Sequence, residues 1–142
     1  MSLTGSAGKD TITLDAGSAD TVNVAITGAT TTIGNTADII AAFDDANDFI
    51  DFGDMAAGTG ANYAEAASDL GANDTIGVAA ALTIANTAMN GTVIYHFQDN
   101  TNGSADNGYL FFDHDADGSA DGVVILSGLT AVADFSEANI IA

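Results

Sequence analysis

Short β-branched runs punctuate the first third of the chain. Thr11-Ile-Thr-Leu14, Thr21-Val-Asn-Val24, Thr30-Thr-Thr-Ile33, Asp38-Ile-Ile40 and Phe49-Ile-Asp-Phe52 recur at intervals of about nine or ten residues. Gly, Ser, Ala and Asp fill the gaps between them. Each run is too short to make a stable hairpin by itself. Stacked as rungs, such runs bury a continuous apolar stripe, which is the logic of a β-solenoid. An antiparallel meander with tight turns is the competing arrangement, and the small, turn-forming spacers favour the solenoid.

The middle of the chain changes character. Ala61–Leu70 and Thr75–Asn90 are rich in alanine, the residue with the best helix propensity, and both read as helices. In the second, Ile76, Ala80, Thr83 or Ile84, and Thr87 or Ala88 define one face, with Val78, Leu82 and Met89 contributing, and Gly91 stands where a helix C-terminus favours glycine. The last third returns to strands at Thr92–Phe97, Gly108–Phe112 and Gly122–Leu126, joined by two loops into an antiparallel meander. The predicted fold is mainly β with a small α component. A short parallel β-roll over residues 1–55 precedes alanine-rich helices and a β-meander over residues 56–142, the whole forming one compact unit.

Charge narrows the function. Twenty acids stand against one base, Lys9, for a formal net charge of −19. Such a chain repels itself when compact, and it excludes nucleic acid and anionic membranes as partners. Only Glu65 and Glu137 are glutamates; the remaining acids are aspartates. Aspartate belongs in turns, where its short side chain bonds back to the local backbone. The charge is therefore carried in loops, where cations bind. A halophilic surface is the alternative, although it would be expected to use more glutamate. With no cysteine, disulfides and thiolate metal sites are excluded. No apolar run reaches membrane-spanning length, and the first residues lack the basic and apolar regions of a secretory signal. Met1-Ser-Leu3 reads as a leader in front of a piece of a longer protein.

The two meander loops echo one another. Phe97-Gln-Asp-Asn100-Thr-Asn102-Gly-Ser-Ala-Asp106 aligns with Phe112-Asp113-His-Asp115-Ala-Asp117-Gly118-Ser119-Ala-Asp121. In the second loop the alternating positions are carboxylates, the arrangement that wraps oxygen around a hard cation, and Gly118 permits the bend. Calcium is the expected ion, held by Asp113, Asp115, Asp117 and Asp121 with the Ser119 carbonyl. This is not an EF-hand: Val124 occupies the closing acidic position and strands flank the loop. A polar hairpin without metal is the plainer reading, but four carboxylates so close repel one another unless a cation intervenes. The first loop carries the amides Gln98, Asn100 and Asn102 instead, so it binds weakly or merely turns, with Asp99 facing water. His96 is expected to pack within a strand and His114 to point outward. No nucleophile elbow or phosphate-binding glycine loop is present, which argues against an enzyme.

Gly5-Ser-Ala-Gly8-Lys-Asp10-Thr-Ile12-Thr resembles the nonapeptide G-G-x-G-x-D-x-U-x of repeat-in-toxin (RTX) proteins. Ala16–Asn23 is a degenerate second copy, and Asp38–Phe52 resembles the segment that closes such arrays. The C-terminal part is similar to the terminal region of type I-secreted bacterial proteins, surface-layer proteins included. The resemblance implies calcium held between rungs, here at Asp10 and Asp20. It also implies export by the type I secretion machinery through an uncleaved signal within Ala133–Ala142, and an extracellular or cell-surface location. The expected function is a calcium-binding terminal module that folds after export. The alternatives are a surface-assembly or adhesion module contacting neighbouring subunits or upstream domains, and an acidic halophilic domain without specific metal.

Overall fold

The computed structural model describes residues 2–3, 9–15, 17–24, 33, 37–72, 74–102, 107–129 and 131–142. Ten strands and one α-helix appear among them. The strands are β1 (Ser2–Leu3), β2 (Thr11–Thr13), β3 (Thr21–Val24), β4 (Asp38–Ala41), β5 (Phe49–Asp51), β6 (Tyr63–Ser68), β7 (Tyr95–Asn100), β8 (Asn107–Phe112), β9 (Gly122–Ser127) and β10 (Ile140–Ile141). The helix, α1, spans Asp74–Ala88, and two 3-10 turns lie at Val132–Asp134 and Glu137–Asn139. No helix among the described residues is long and apolar enough to cross a membrane.

Two sheets organise these strands. One has four strands in the order β1-β3-β5-β10, all parallel. The other has six, in the order β2-β4-β9-β8-β7-β6, mixing parallel and antiparallel pairs. From β1 to β5 the chain alternates between the sheets, and each strand lies parallel to the one two before it. The antiparallel meander β7-β8-β9 forms as expected. Its last strand pairs with β4 while β10 pairs with β5, so residues on both sides of position 55 share both sheets.

The six-stranded sheet is covered on both faces. Successive side chains of a strand point to opposite sides, and here both sides are apolar. Phe97, Leu110, Phe112, Val124 and Leu126 meet Val22, Ile40 and Ile50 in a core between the sheets. Tyr109, Phe111, Val123 and Ile125 point the other way and pack under α1. The helix buries Val78, Ala81 and Ala85 against them, with Met89 just beyond its end. This stripe is rotated from the expected face. Thr83 and Thr87 are exposed, and their hydroxyls donate to the Ala79 and Thr83 carbonyls. Small residues fix the rotation by allowing close approach: a Cβ on Gly77 would collide with the Tyr109 hydroxyl.

Ala61–Leu70 is not a helix. Its residues 63–68 form β6, parallel to β7 in a continuous six-residue register. The ten residues between Gly60 and Gly71 are too few for alanine propensity to sustain a helix without tertiary support. A sheet edge offers a whole ladder of backbone bonds instead. The expected strand Thr30–Ile33 lies, apart from Ile33, outside the described residues, as does Gly5–Gly8 of the first glycine-rich turn.

The C-terminal segment is built into the core. Phe135 is buried and stacks near Phe97 (ring centroids 5.0 Å apart), Phe43 (5.6 Å) and Tyr63 (6.3 Å). Asn139 donates its amide to the Asp45 and Asp48 carbonyls, and Ile140 seats β10 on β5. Removing so large a buried ring leaves a cavity, so Phe135→Ala is expected to destabilise the protein by about 3–5 kcal/mol in urea unfolding. A loss below about 1 kcal/mol would contradict the placement of this segment.

Candidate metal centre

Between β8 and β9 the chain must reverse direction over residues 113–121. The closing bond runs from the Asp121 N–H to the Phe112 carbonyl at 2.8 Å. Asp113 stands at the root of the loop with its side chain fully buried. One of its oxygens accepts the Asp117 N–H (3.2 Å) and the other accepts the Gly118 N–H (2.8 Å). Asp115 also accepts from the Asp117 N–H (3.2 Å), and Asp117 accepts from the Ser119 N–H (2.9 Å). The loop passes through the left-handed region at Ala116 (φ +58°) and Gly118 (φ +91°). For alanine that conformation is unfavourable by about 1–2 kcal/mol, which the surrounding bonds must offset.

This winding gathers Asp113, Asp115 and Asp117. Each offers an oxygen, and the three lie within 4.8 Å of one another. Asp121 plays a different part. Its Oδ2 accepts the His114 N–H (2.8 Å) and the Asp115 N–H (3.3 Å), bracing the loop from the far side of the turn. Ser119 is exposed and donates its N–H to Asp117. Of the five residues expected around the ion, the structure brings three carboxylates together.

The surroundings add negative potential. The loop docks on the last turn of α1: the Ala120 N–H donates to Asn86 Oδ1 at 2.8 Å. A Cβ on Gly91 would lie 2.7 Å from the Ala116 carbonyl oxygen, so glycine there permits the contact. The C-terminal end of a helix carries about half a negative charge, and this last turn contains no basic residue. Burial raises the Asp113 pKa above the ordinary carboxylate value, against the lowering effect of its backbone N–H bonds. His114, exposed as expected, reaches Asp54 at 3.4 Å. A bound dication would relieve the carboxylate crowding.

The other two expected ligands sit at the strand entrances of the N-terminal half. The Asp10 N–H donates to Asp38 Oδ1 (2.9 Å), and the Asp20 N–H donates to Asp48 Oδ1 (3.0 Å). Asp48 is fully buried and also accepts the Asp44 N–H at 2.8 Å. Asp38 and Asp48 were not among the expected ligands. A readable signal exists: Asp10-Thr-Ile, Asp20-Thr-Val, Asp38-Ile-Ile and Asp48-Phe-Ile all place an acid at the start of a strand, directly before it or as its first residue, and two residues before an inward apolar side chain. Burial is the main cause raising the Asp38 pKa, and the Asp10 charge adds to it.

The amides do not all lie in a loop: Gln98 and Asn100 stand in β7, and Asn102 follows it. Gln98, Asp99 and Asn100 belong to β7 and are buried; Asp99 does not face water. Gln98 bonds to His96 Nε2 (3.3 Å) and to the Asp99 carbonyl (3.1 Å). Asn100 accepts the Leu70 N–H and donates to the Gly71 carbonyl. Amides both donate and accept, so they can be satisfied inside a sheet, whereas adjacent carboxylates cannot. Of the expected loop, residues 103–106 lie outside the described residues. No protein-family model matches the chain, and no match to it was found among curated proteins.

His96 sets a pH dependence. Burial pushes its pKa below the ordinary value, only partly offset by the Gln98 bond, so the folded protein holds it neutral. The unfolded chain takes up a proton near pH 6.5. Its contribution is therefore present above that pH and is lost as pH falls toward the depressed folded value. Asp38 and Asp113, both raised, work with opposite sign at lower pH. Between about pH 7.5 and 5.5, the stability of the wild type relative to His96→Gln should fall with acid. Parallel stability curves would contradict a neutral buried imidazole.

Proposed function

We propose that the chain is a calcium-binding module of a type I-secreted bacterial protein related to the repeat-in-toxin proteins, and that calcium at Asp113, Asp115 and Asp117 completes its fold outside the cell. The observation that carries this reading is the convergence of three carboxylates within 4.8 Å, one of them fully buried, in a chain of net charge −19. Calcium takes six to eight oxygens in flexible geometry, so carbonyl oxygens and water would complete the shell. The alternation of β1 to β5 between two parallel ladders supports a short, degenerate β-roll, with the Asp10/Asp38 and Asp20/Asp48 pairs at its turns.

The physical sequence is simple. Where calcium is scarce, crowded carboxylates oppose closure of the loop. Outside the cell, a ligand that binds only the folded form stabilises it by mass action. At a tenfold excess over Kd the gain is about 1.4 kcal/mol. The export signal belongs to Ala133–Ala142 in the unfolded chain, because folding buries Phe135 and Ile140. Truncating this segment therefore removes core as well as signal, and export is better tested by grafting it onto a reporter.

Thermal unfolding with calcium and with chelator tests the calcium reading. Calcium should raise the midpoint of the wild type by about 4–6 °C at that excess. Asp115→Ala, which alters an exposed carboxylate, should still fold and lose the increment. Sodium chloride at matched ionic strength should not replace calcium. Equal midpoints in calcium and chelator for the wild type would contradict the proposal.

A further inference from the structure

We infer that Asn90–Gly91 is a self-modification site, at which the fold promotes conversion of the asparagine to aspartate and isoaspartate. Three Asn-Gly pairs occur in the chain, at 90–91, 102–103 and 107–108. The first lies beyond the end of α1, after Met89, and its asparagine is exposed to water. Asn90 Oδ1 accepts two backbone N–H groups, from Thr92 and from Val93, each at 3.0 Å. These donors sit where negative charge develops if the side-chain carbonyl is attacked, as in an oxyanion hole. Gly91 (φ +78°) follows, and it has no Cβ to shield its main-chain nitrogen.

The chemistry needs only water. The Gly91 nitrogen, giving up its proton, bonds to Asn90 Cγ, and the electron pair displaced onto Oδ1 is held by the Thr92 and Val93 N–H groups. The Cγ–Nδ2 bond then breaks, and ammonia leaves with the proton. Water opens the cyclic imide at either carbonyl, giving aspartate or isoaspartate. Asn107–Gly108 provides the contrast, because it lies buried in β8 with Gly108 in register with Asp99 and Leu126. Gly103 lies outside the described residues.

The position matters for the neighbouring loop. A Cβ on Gly118 would lie 3.5 Å from Asn90 Cα, and Gly91 backs directly onto the Ala116 carbonyl. Conversion adds a negative charge there, and isoaspartate adds a main-chain methylene. That consequence rests on the cation-loop reading; the reaction itself does not.

The test incubates the folded protein and the same protein in urea at mildly alkaline pH, followed by peptide mapping and mass spectrometry. The amide-to-acid change is read as a one-dalton gain at each Asn-Gly pair. Asn90 should convert several-fold faster in the folded protein than in urea, while Asn107 should convert faster in urea. Equal or faster conversion of Asn90 in urea would overturn the inference, whatever the protein does with calcium.

Discussion

The fold depends on aspartate carboxylates that accept backbone N–H groups where the chain turns. Asp38 and Asp48 each accept the N–H of the aspartate that enters the neighbouring strand, 28 residues earlier. Asp113 holds the Asp117 and Gly118 N–H groups, and Asp121 holds those of His114 and Asp115. Turns leave N–H groups without ladder partners, and a short carboxylate is a strong acceptor for them. Apolar strands and acidic turns are thus parts of one arrangement: the strands fill two cores, and aspartates mark where β2 to β5 begin.

The same arrangement concentrates charge. Asp10 faces Asp38 across a rung, Asp20 faces Asp48, and three carboxylates converge beside the C-terminal end of α1. Two unit charges about 4 Å apart repel by about 1 kcal/mol even in bulk water, and by more near protein. Hydrogen bonds from N–H groups ease this, while burial raises the Asp113 pKa and the neighbouring Asp117 charge is a lesser cause. The chain has a single Lys and no Arg to neutralise its 20 acids, so compensation has to come from solution cations. Among the described residues, Asp113, Asp115 and Asp117 form a group that could hold such a cation, and the contacts of their loop with Asn86 and Gly91 tie it to the helix.

Much of this was legible in the sequence because local chemistry agreed with tertiary structure. Thr21–Val24 alternates apolar and polar residues and forms β3, and Tyr109–Phe112 is apolar on both faces because helix and sheet cover it. The Asp113–Asp117 cluster was visible because alternate positions of a curled loop bring their side chains together. Ala61–Leu70 misled because propensity differences of tenths of a kcal/mol per residue yield to a sheet edge. Gln98 and Asn100 misled because an amide in a loop and an amide bonded within a sheet look alike in sequence. The burial of Phe135 and Ile140 depends on contacts with residues tens of positions away, and composition carries no record of them. Asp38 and Asp48 were readable in principle, through the repeated acid at the starts of β2 to β5.

On the proposed reading, the Asp113–Asp121 turn is a cation site rather than an acidic hairpin. A crystal structure of the full chain grown in millimolar calcium, with anomalous scattering to identify the ion, tests it directly. The account predicts one calcium coordinated by Asp113, Asp115 and Asp117, with Asp121 still bonded to the His114 and Asp115 N–H groups. An ordered loop without an ion at saturating calcium would contradict it.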